Sequence, residues 1–180
     1  MAKRGDFVWY ELMSTDPKGA QKFYKDVIGW GTAPFENSTG MEYTMWTKGE
    51  SMVGGVMELP EEARKGGAPS HWIGYVGVPD VDATAKKAKE LGGKVYHGPQ
   101  DIPEVGRFAV LADPQGAVIC AFKGLQDMPS ENGQPESGDV SWHELATTDS
   151  ESAFSFYHDL FGWDKQQAMD MGEAGIYQMY

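Results

Sequence analysis

The sequence predicts an α+β fold of paired βαβββ motifs followed by an incomplete third motif, and three observations carry that prediction. Residues 5–30 (GDFVWYELMSTDPKGAQKFYKDVIGW) and 138–163 (GDVSWHELATTDSESAFSFYHDLFGW) are identical at 13 of 26 positions at an offset of 133. Such a period marks an internal repeat rather than a chance match. A fainter repeat, about 63 residues apart, gives the order strand, helix, strand, strand, strand twice within residues 6–124. Both helices of that fainter repeat begin at a capping aspartate and end at glycine.

In the first motif, Phe7–Met13 alternates as a strand does. Thr15-Asp16-Pro17 supplies an N-cap and a proline at the first helical position, and the helix runs to about Ile28 with Ala20, Phe23, Tyr24 and Val27 on one stripe. Gly29 ends it. Strand patterns follow near Thr32–Phe35, at Glu42–Thr47 and at Met52–Leu59. In the second motif His71–Val78 is the strand and Val81–Leu91 the helix, stopped by Gly92-Gly93; Lys94–His97, Arg107–Ala112 and Ala117–Lys123 are the later strands. The resulting organisation is a complete unit at 6–124, with motifs at 6–59 and 70–124, then a linker at 125–137 and an incomplete unit at 138–180. Pro60–Pro69 reads as a linker between the motifs, and the run QDMPSENGQPESG carries the Pro, Ser, Gly and acid of the second linker. Twice the 133-residue offset exceeds the 180 residues of the chain. The expectation is therefore a shortened form of a two-unit protein, with coverage of the incomplete unit by a second chain as the alternative.

Composition narrows the function. Acidic residues number 27 against 15 basic ones, a formal net charge of −12. Nucleic-acid binders draw their affinity from Lys and Arg displacing counterions, so a nucleic-acid partner is excluded, and an anionic membrane surface with it. The single cysteine, Cys120, precludes an internal disulfide and suits a reducing compartment. No apolar signal core follows Met1–Asp6, and the longest apolar run, Ala117–Phe122, is far shorter than a membrane helix. These features predict a cytoplasmic protein. Six Trp, ten Met, eight Tyr and eight Phe could line a core or a ligand cavity.

Several motifs resemble the vicinal oxygen chelate superfamily, which includes glyoxalase I, bleomycin-resistance proteins and extradiol dioxygenases. They are W-Y-E-L-M-S-T-D-P and F-Y-x-x-x-x-G-W at 9–30, Tyr75-Val76-x-Val78-x-Asp80-Val81-Asp82-Ala83, Leu91-Gly92-Gly93, and Val105-Gly106-Arg107-Phe108-Ala109-Val110-Leu111-x-Asp113-Pro114-Gln115-Gly116-Ala117. Within the superfamily the chain looks most like two-module, glyoxalase-like bacterial proteins. The resemblance implies that the paired motifs form a curved, U-shaped mixed sheet with helices outside, and that catalytic members hold a divalent metal in the cup. It implies metal ligands seven residues before the aspartate that opens each helix, four residues after the glycine of the D-P-x-G turn, and on the strand Met52–Leu59. Those positions are Trp9, Ile73 and Cys120, with Glu58 the one carboxylate on that strand. Neither indole nor alkyl binds a metal, and Cys120 lies among Ala117, Val118, Ile119 and Ala121. A metal site is therefore not expected, no cofactor is predicted, and a divalent metal stays as the alternative.

Alternation places Phe7, Trp9, Glu11 and Met13 toward the cup, Tyr10, Leu12 and Ser14 toward the outer helix, and Ile73, Tyr75 and Gly77 on the inner face. Of the neighbours Met45/Trp46 and Arg107/Phe108, one in each pair faces the cup, and the register that decides is open. Candidate ligand-binding residues are Trp9, Met13, Trp46, Ile73, Tyr75, Arg107, Phe108 and Cys120. Glu11 is the candidate catalytic residue: a desolvated carboxylate suits a general base or a cationic ligand, whereas an ion pair with Arg107 or a solvated strand end would make it structural. It recurs as Glu144. His143 reads as a packed histidine, and Phe23-Tyr24 and Phe156-Tyr157 as core anchors. The expected function is binding of a small, aromatic or apolar molecule, as in the bleomycin-resistance branch. The alternatives are a metal-dependent lyase, isomerase or dioxygenase, or a metal-free enzyme using Glu11 as base. A homodimer is the expected form of any self-association.

Overall fold

The structure, a computed structural model, describes residues 4–36, 40, 42–126 and 135–180. Its first motif comprises β1 (Phe7–Ser14), α1 (Pro17–Ile28), β2 (Gly31–Pro34), β3 (Thr44–Lys48) and β4 (Ser51–Glu58). A five-residue helix, α2 (Glu61–Lys65), occupies the segment expected to be an irregular linker. The second motif is β5 (His71–Gly77), α3 (Val81–Glu90), β6 (Lys94–Ile102), β7 (Gly106–Ala112) and β8 (Val118–Gly124). Both major helices start as the sequence predicts: Asp16 Oδ1 accepts from the Gly19 amide and Asp80 Oδ1 from the Ala83 amide, each at 2.9 Å. Gly29 closes α1 in the left-handed region, at φ 87°.

Eight strands make one open, curved sheet in the order β2-β3-β4-β1-β5-β8-β7-β6, with the helices outside. The motifs join where β1 pairs antiparallel with β5, and each first strand also pairs parallel with its own motif's last strand. The two first strands thus lie at the centre of the sheet. A register shift between Phe7 and Trp9 turns Phe7 to the outer face, where it packs with the helix-side core, so Phe7 does not line the cup as expected.

Beneath α1 the core is Leu12, Trp30, Trp46 and Val56. Beneath α3 it is Val76, Val78, Val81, Ala85, Ala88, Leu111 and their neighbours. That second core is covered by α4 (Ser150–Phe161), the repeat of α1, whose Ala153, Phe156, Tyr157, Leu160 and Phe161 are all buried. The aligned stripe of α1 fares differently: no residue of α1 is buried, Phe23 is 56% exposed where Phe156 is 3%, and Val27 also faces solvent. Phe23 is therefore not the core anchor expected, because the helix-and-sheet surface that receives Phe156 has no counterpart against α1 among the described residues.

The two repeats meet about a local pseudo-twofold axis. Trp30 Nε1 donates to the Gly138 carbonyl and Trp163 Nε1 to the Gly5 carbonyl, both at 2.8 Å, and all four residues are related by the 133-residue offset. Tyr10 and His143, equivalent to each other, share a hydrogen bond of 2.8 Å. Such reciprocity is the mark of an isologous contact. Gly5 and Gly138 are both left-handed, and a Cβ at either would lie within 3.3 Å of the indole nitrogen it serves. His143 stacks on Phe7 with ring centroids 3.8 Å apart but is itself exposed, so it is not the histidine packed beneath the helix that was expected. The carboxylate of Asp113 ties the repeats further: it accepts from the Gln115 and Ala117 amides of its own turn and from the hydroxyl of Tyr157 on α4.

Residues 140–147, expected to repeat β1, form no strand among the described residues. After α4 come β9 (Ala168–Asp170) and β10 (Ile176–Gln178), paired only with each other. In the expected linker 125–137, residues 127–134 lie outside the described residues.

The asymmetry between the repeated helices has a measurable consequence. Phe156→Ala should destabilise the protein by about 3–5 kcal/mol in urea unfolding, as large core truncations do, whereas Phe23→Ala should fall within about 0.5 kcal/mol of wild type. Equal losses would contradict the packing described.

Candidate functional site

The concave face of the sheet is built from alternate residues of its central strands. On β1 these are Trp9, Glu11 and Met13. The register places Ile73 opposite Glu11 and Tyr75 opposite Trp9 on β5; on the other side Glu11 lies opposite Gly55 and Met13 opposite Met57 on β4. Met45 of β3 pairs with Gly55 and joins this face, so Trp46 turns the other way. Trp46 is fully buried beneath α1, its indole N–H satisfied by the Gly55 carbonyl at 3.0 Å, and it cannot touch a ligand in the cup.

The pair Arg107/Phe108 resolves likewise. Phe108 faces inward, stacked with His97 at 5.5 Å, while His97 Nε2 lies 2.8 Å from Gln100 Oε1. Arg107 points outward and is held by the carboxylates of Asp82 and Asp101 at 2.7–3.0 Å. It is neither a ligand contact nor the partner of Glu11.

Glu11 sits at the floor of the cup, 5% exposed, with no ion pair among the described residues. Tyr75 donates its hydroxyl to Glu11 Oε1 at 2.9 Å, and Tyr43 supplies a second hydroxyl. Trp9 Nε1 donates to the Tyr43 oxygen at 2.8 Å, which directs the Tyr43 proton toward the carboxylate. Close approach of Tyr43 depends on Gly55, since a Cβ there would lie 1.9 Å from the Tyr43 hydroxyl oxygen. Burial raises the Glu11 pKa above its ordinary value, and the tyrosine hydrogen bonds, with His71 nearby, offset only part of that shift. Burial and the Glu11 charge push both tyrosines upward as well.

Cys120 lies beneath Tyr75, fully buried, with its thiol pushed well above the ordinary value by desolvation first and Glu11 second. It is a packed core residue, out of reach of a ligand in the open cup. Trp9, Met13, Ile73, Tyr75 and Phe108 all border the open cavity, Ile73 and Tyr75 with little of their surface exposed. That cavity continues beyond the cup as a trough of about 2860 Å³, several times a drug-sized site, so the convergence of polar groups at Glu11 locates the site better than volume does.

Sequence reasoning missed Tyr43, Gly55, Met57 and His71, and left Met45 undecided against Trp46. A signal for Tyr43 was present, because it aligns with Tyr177. In the repeated segment 138–180 Trp142 Nε1 donates to the Tyr177 hydroxyl and that hydroxyl to Glu144 Oε1, each at 2.8 Å, which reproduces the Trp9–Tyr43–Glu11 wiring. Glu144 is exposed, without the cover that Tyr75 gives Glu11.

The donors do not fit a divalent metal of the kind the resemblance implies. Trp9 and Ile73 carry no ligating atom and Cys120 holds its proton. Glu58 pairs with Ser14, on the face opposite the cup. No group of three His, Cys, Asp or Glu that could hold an ion occurs among the described residues.

The sequence profile of the Glyoxalase/Bleomycin resistance protein/Dioxygenase superfamily matches residues 6–121. A Mycobacterium tuberculosis protein, provisionally named glyoxylase CFP32, is 44% identical over 119 residues, covering 66% of this chain and 44% of that protein. The anthracycline biosynthesis protein DauV of Streptomyces sp. strain C5 is 31% identical over 179 residues, covering 93% and 63%. The chain thus spans under half of the first relative and under two thirds of the second. Among solved structures, a Streptomyces coelicolor methylmalonyl-CoA epimerase variant in complex with 2-nitronate-propionyl-CoA superposes with a TM-score of 0.52 at 17% identity, covering 71% of this chain and all of that one. A 4-hydroxymandelate synthase mutant from the same organism gives 0.63 at 19%, covering 92% and 55%. These similarities show the fold, and with the profile match they establish that the chain belongs to the Glyoxalase/Bleomycin resistance protein/Dioxygenase superfamily.

Proposed function

We propose that the cup of residues 6–124 binds a small molecule with an aromatic or apolar body, oriented by a cationic or hydrogen-bond-donating group placed on Glu11. The observation that carries this reading is a buried carboxylate with tyrosine hydroxyls on it and no ion pair among the described residues. None of the described residues lining the trough is Lys or Arg, whereas Asp6, Glu11, Glu50, Glu61, Glu62 and Asp101 are among them. Trp9, Met13, Met45, Met57, Tyr75 and Phe108 offer the apolar walls. A ligand rich in phosphate, such as the CoA derivative bound by the epimerase, finds no positive partner in this lining. Two Streptomyces relatives at 30–31% identity are named for anthracycline biosynthesis, which supports a small-molecule ligand.

A second reading rests on the same carboxylate. An acid held above its ordinary pKa in a partly closed site can accept a proton from a bound substrate, so Glu11 would act as a general base without a metal. Turnover that survives Glu11→Gln would dismiss this reading and leave simple binding.

Charge preference tests the main proposal. The planar cation ethidium should bind at least about tenfold more tightly than the anionic dye anilinonaphthalene sulfonate, and Glu11→Gln should erase the preference. A preference for the anion, or one untouched by the substitution, would contradict the reading. Stability should move the opposite way. The folded state holds the Glu11 proton more strongly than the unfolded state, so stability is complete in acid and falls as pH rises through the raised pKa. Glu11→Gln should therefore be more stable than wild type at neutral pH in urea titration, with the gain vanishing in acid. Gly55→Ala drives its methyl group into Tyr43; it should cost about 1–3 kcal/mol and weaken ethidium binding while leaving secondary structure unchanged by circular dichroism.

A further inference from the structure

We propose that Met13, Met57 and His71 form a binding site for a soft monovalent cation of the Cu(I) type at the mouth of the cup. The strand registers place these residues together. Met57 of β4 lies directly opposite Met13 of β1, and Met13 lies directly opposite His71 of β5, so the three form one row across adjacent strands. All three border the same cavity and none is buried. Directly opposed residues on one face have Cβ atoms about 4.5–5.5 Å apart, within reach for two thioethers and an imidazole to converge above the middle strand.

The imidazole is already oriented. His71 Nδ1 lies 2.7 Å from the Pro69 carbonyl oxygen, which can only accept, so Nδ1 carries the proton and Nε2 keeps its lone pair. A histidine ligand typically has its other nitrogen fixed in this way. Two thioethers and one imidazole make a soft set, which selects Cu(I) over Mg²⁺, Ca²⁺ or Mn²⁺. The neighbouring charge fits too: Glu11 is the next inward-facing residue on β1 after Met13, buried and without an ion pair among the described residues, and it interacts electrostatically with His71. A monovalent cation in the row would compensate that carboxylate at short range. The superfamily's oxygen and nitrogen ligand positions do not fit here, and this row shares none of them.

The test needs no knowledge of the organic ligand. Purified full chain is titrated anaerobically with Cu(I) in competition with bicinchoninate, and with Ag(I) while the ten methionine methyl signals are followed by NMR. The expected results are one Cu(I) per chain and early shifts confined to the Met13 and Met57 methyls and the His71 ring. Met13→Leu and Met57→Leu keep apolar volume and should fold; each should lower Cu(I) affinity about tenfold or more, and His71→Gln should do the same. Cu(I) left entirely with the competitor, wild-type affinity in the leucine variants, or first shifts at other methionines would overturn the proposal. Ethidium binding, which reads Glu11, is scored separately, so loss of one function does not count against the other.

Discussion

A buried carboxylate at the centre of the sheet, with no ion pair among the described residues, organises this molecule. Glu11 stands on the strand that joins the two motifs, and its buried charge is tolerated only through hydroxyls from both of them: Tyr43 precedes β3 of the first, and Tyr75 lies on β5 of the second. Uncompensated burial of an acid is costly unless hydrogen bonds satisfy it. That requirement explains features that have no merit as packing alone, such as Gly55, which leaves room for the Tyr43 hydroxyl, and the Trp9 indole, which orients it. Natural sequences keep such local conflicts mainly where function uses them.

The repeat adds a second constraint. Reciprocal tryptophan-to-carbonyl bonds and the Tyr10–His143 contact hold the first motif and the repeated segment 138–163 about one pseudo-twofold axis, while α4 covers the second motif. Applying that axis to α4 leads to α1, whose equivalent stripe remains open. The Trp–Tyr–Glu wiring recurs in the repeated segment even though residues 140–147 form no strand among the described residues, so this local arrangement depends on the spacing of three side chains rather than on a sheet around them.

Much of the fold was legible in advance, because capping aspartates, terminal glycines and alternation are local signals. The helices at Pro17–Ile28 and Val81–Glu90 begin where Asp16 and Asp80 say they should. What failed was long-range. Phe7 is turned outward by a bulge that no period-two pattern reveals, and Trp46 and Met45 exchange faces with a one-residue change of register. Arg107 was drawn outward by Asp82 and Asp101, which lie on other elements. The stripe of α1 predicted burial correctly for its repeat α4 but not for α1 itself, since a stripe shows that a helix can be covered and not that a cover exists. At the site, Glu11 followed from alternation, whereas Tyr43 and the row of Met57, Met13 and His71 needed strand pairing to become neighbours.

The protonation of Glu11 itself is the most direct measure of this account. With the side-chain carboxyl carbon of glutamate labelled and Glu11 assigned by its loss in Glu11→Gln, NMR titration of the ligand-free protein should show Glu11 titrating above every solvent-exposed glutamate, because desolvation outweighs its hydrogen bonds. A midpoint among the exposed glutamates would mean that the carboxylate is solvated or paired with a cation, and the buried, uncompensated site described here would be wrong.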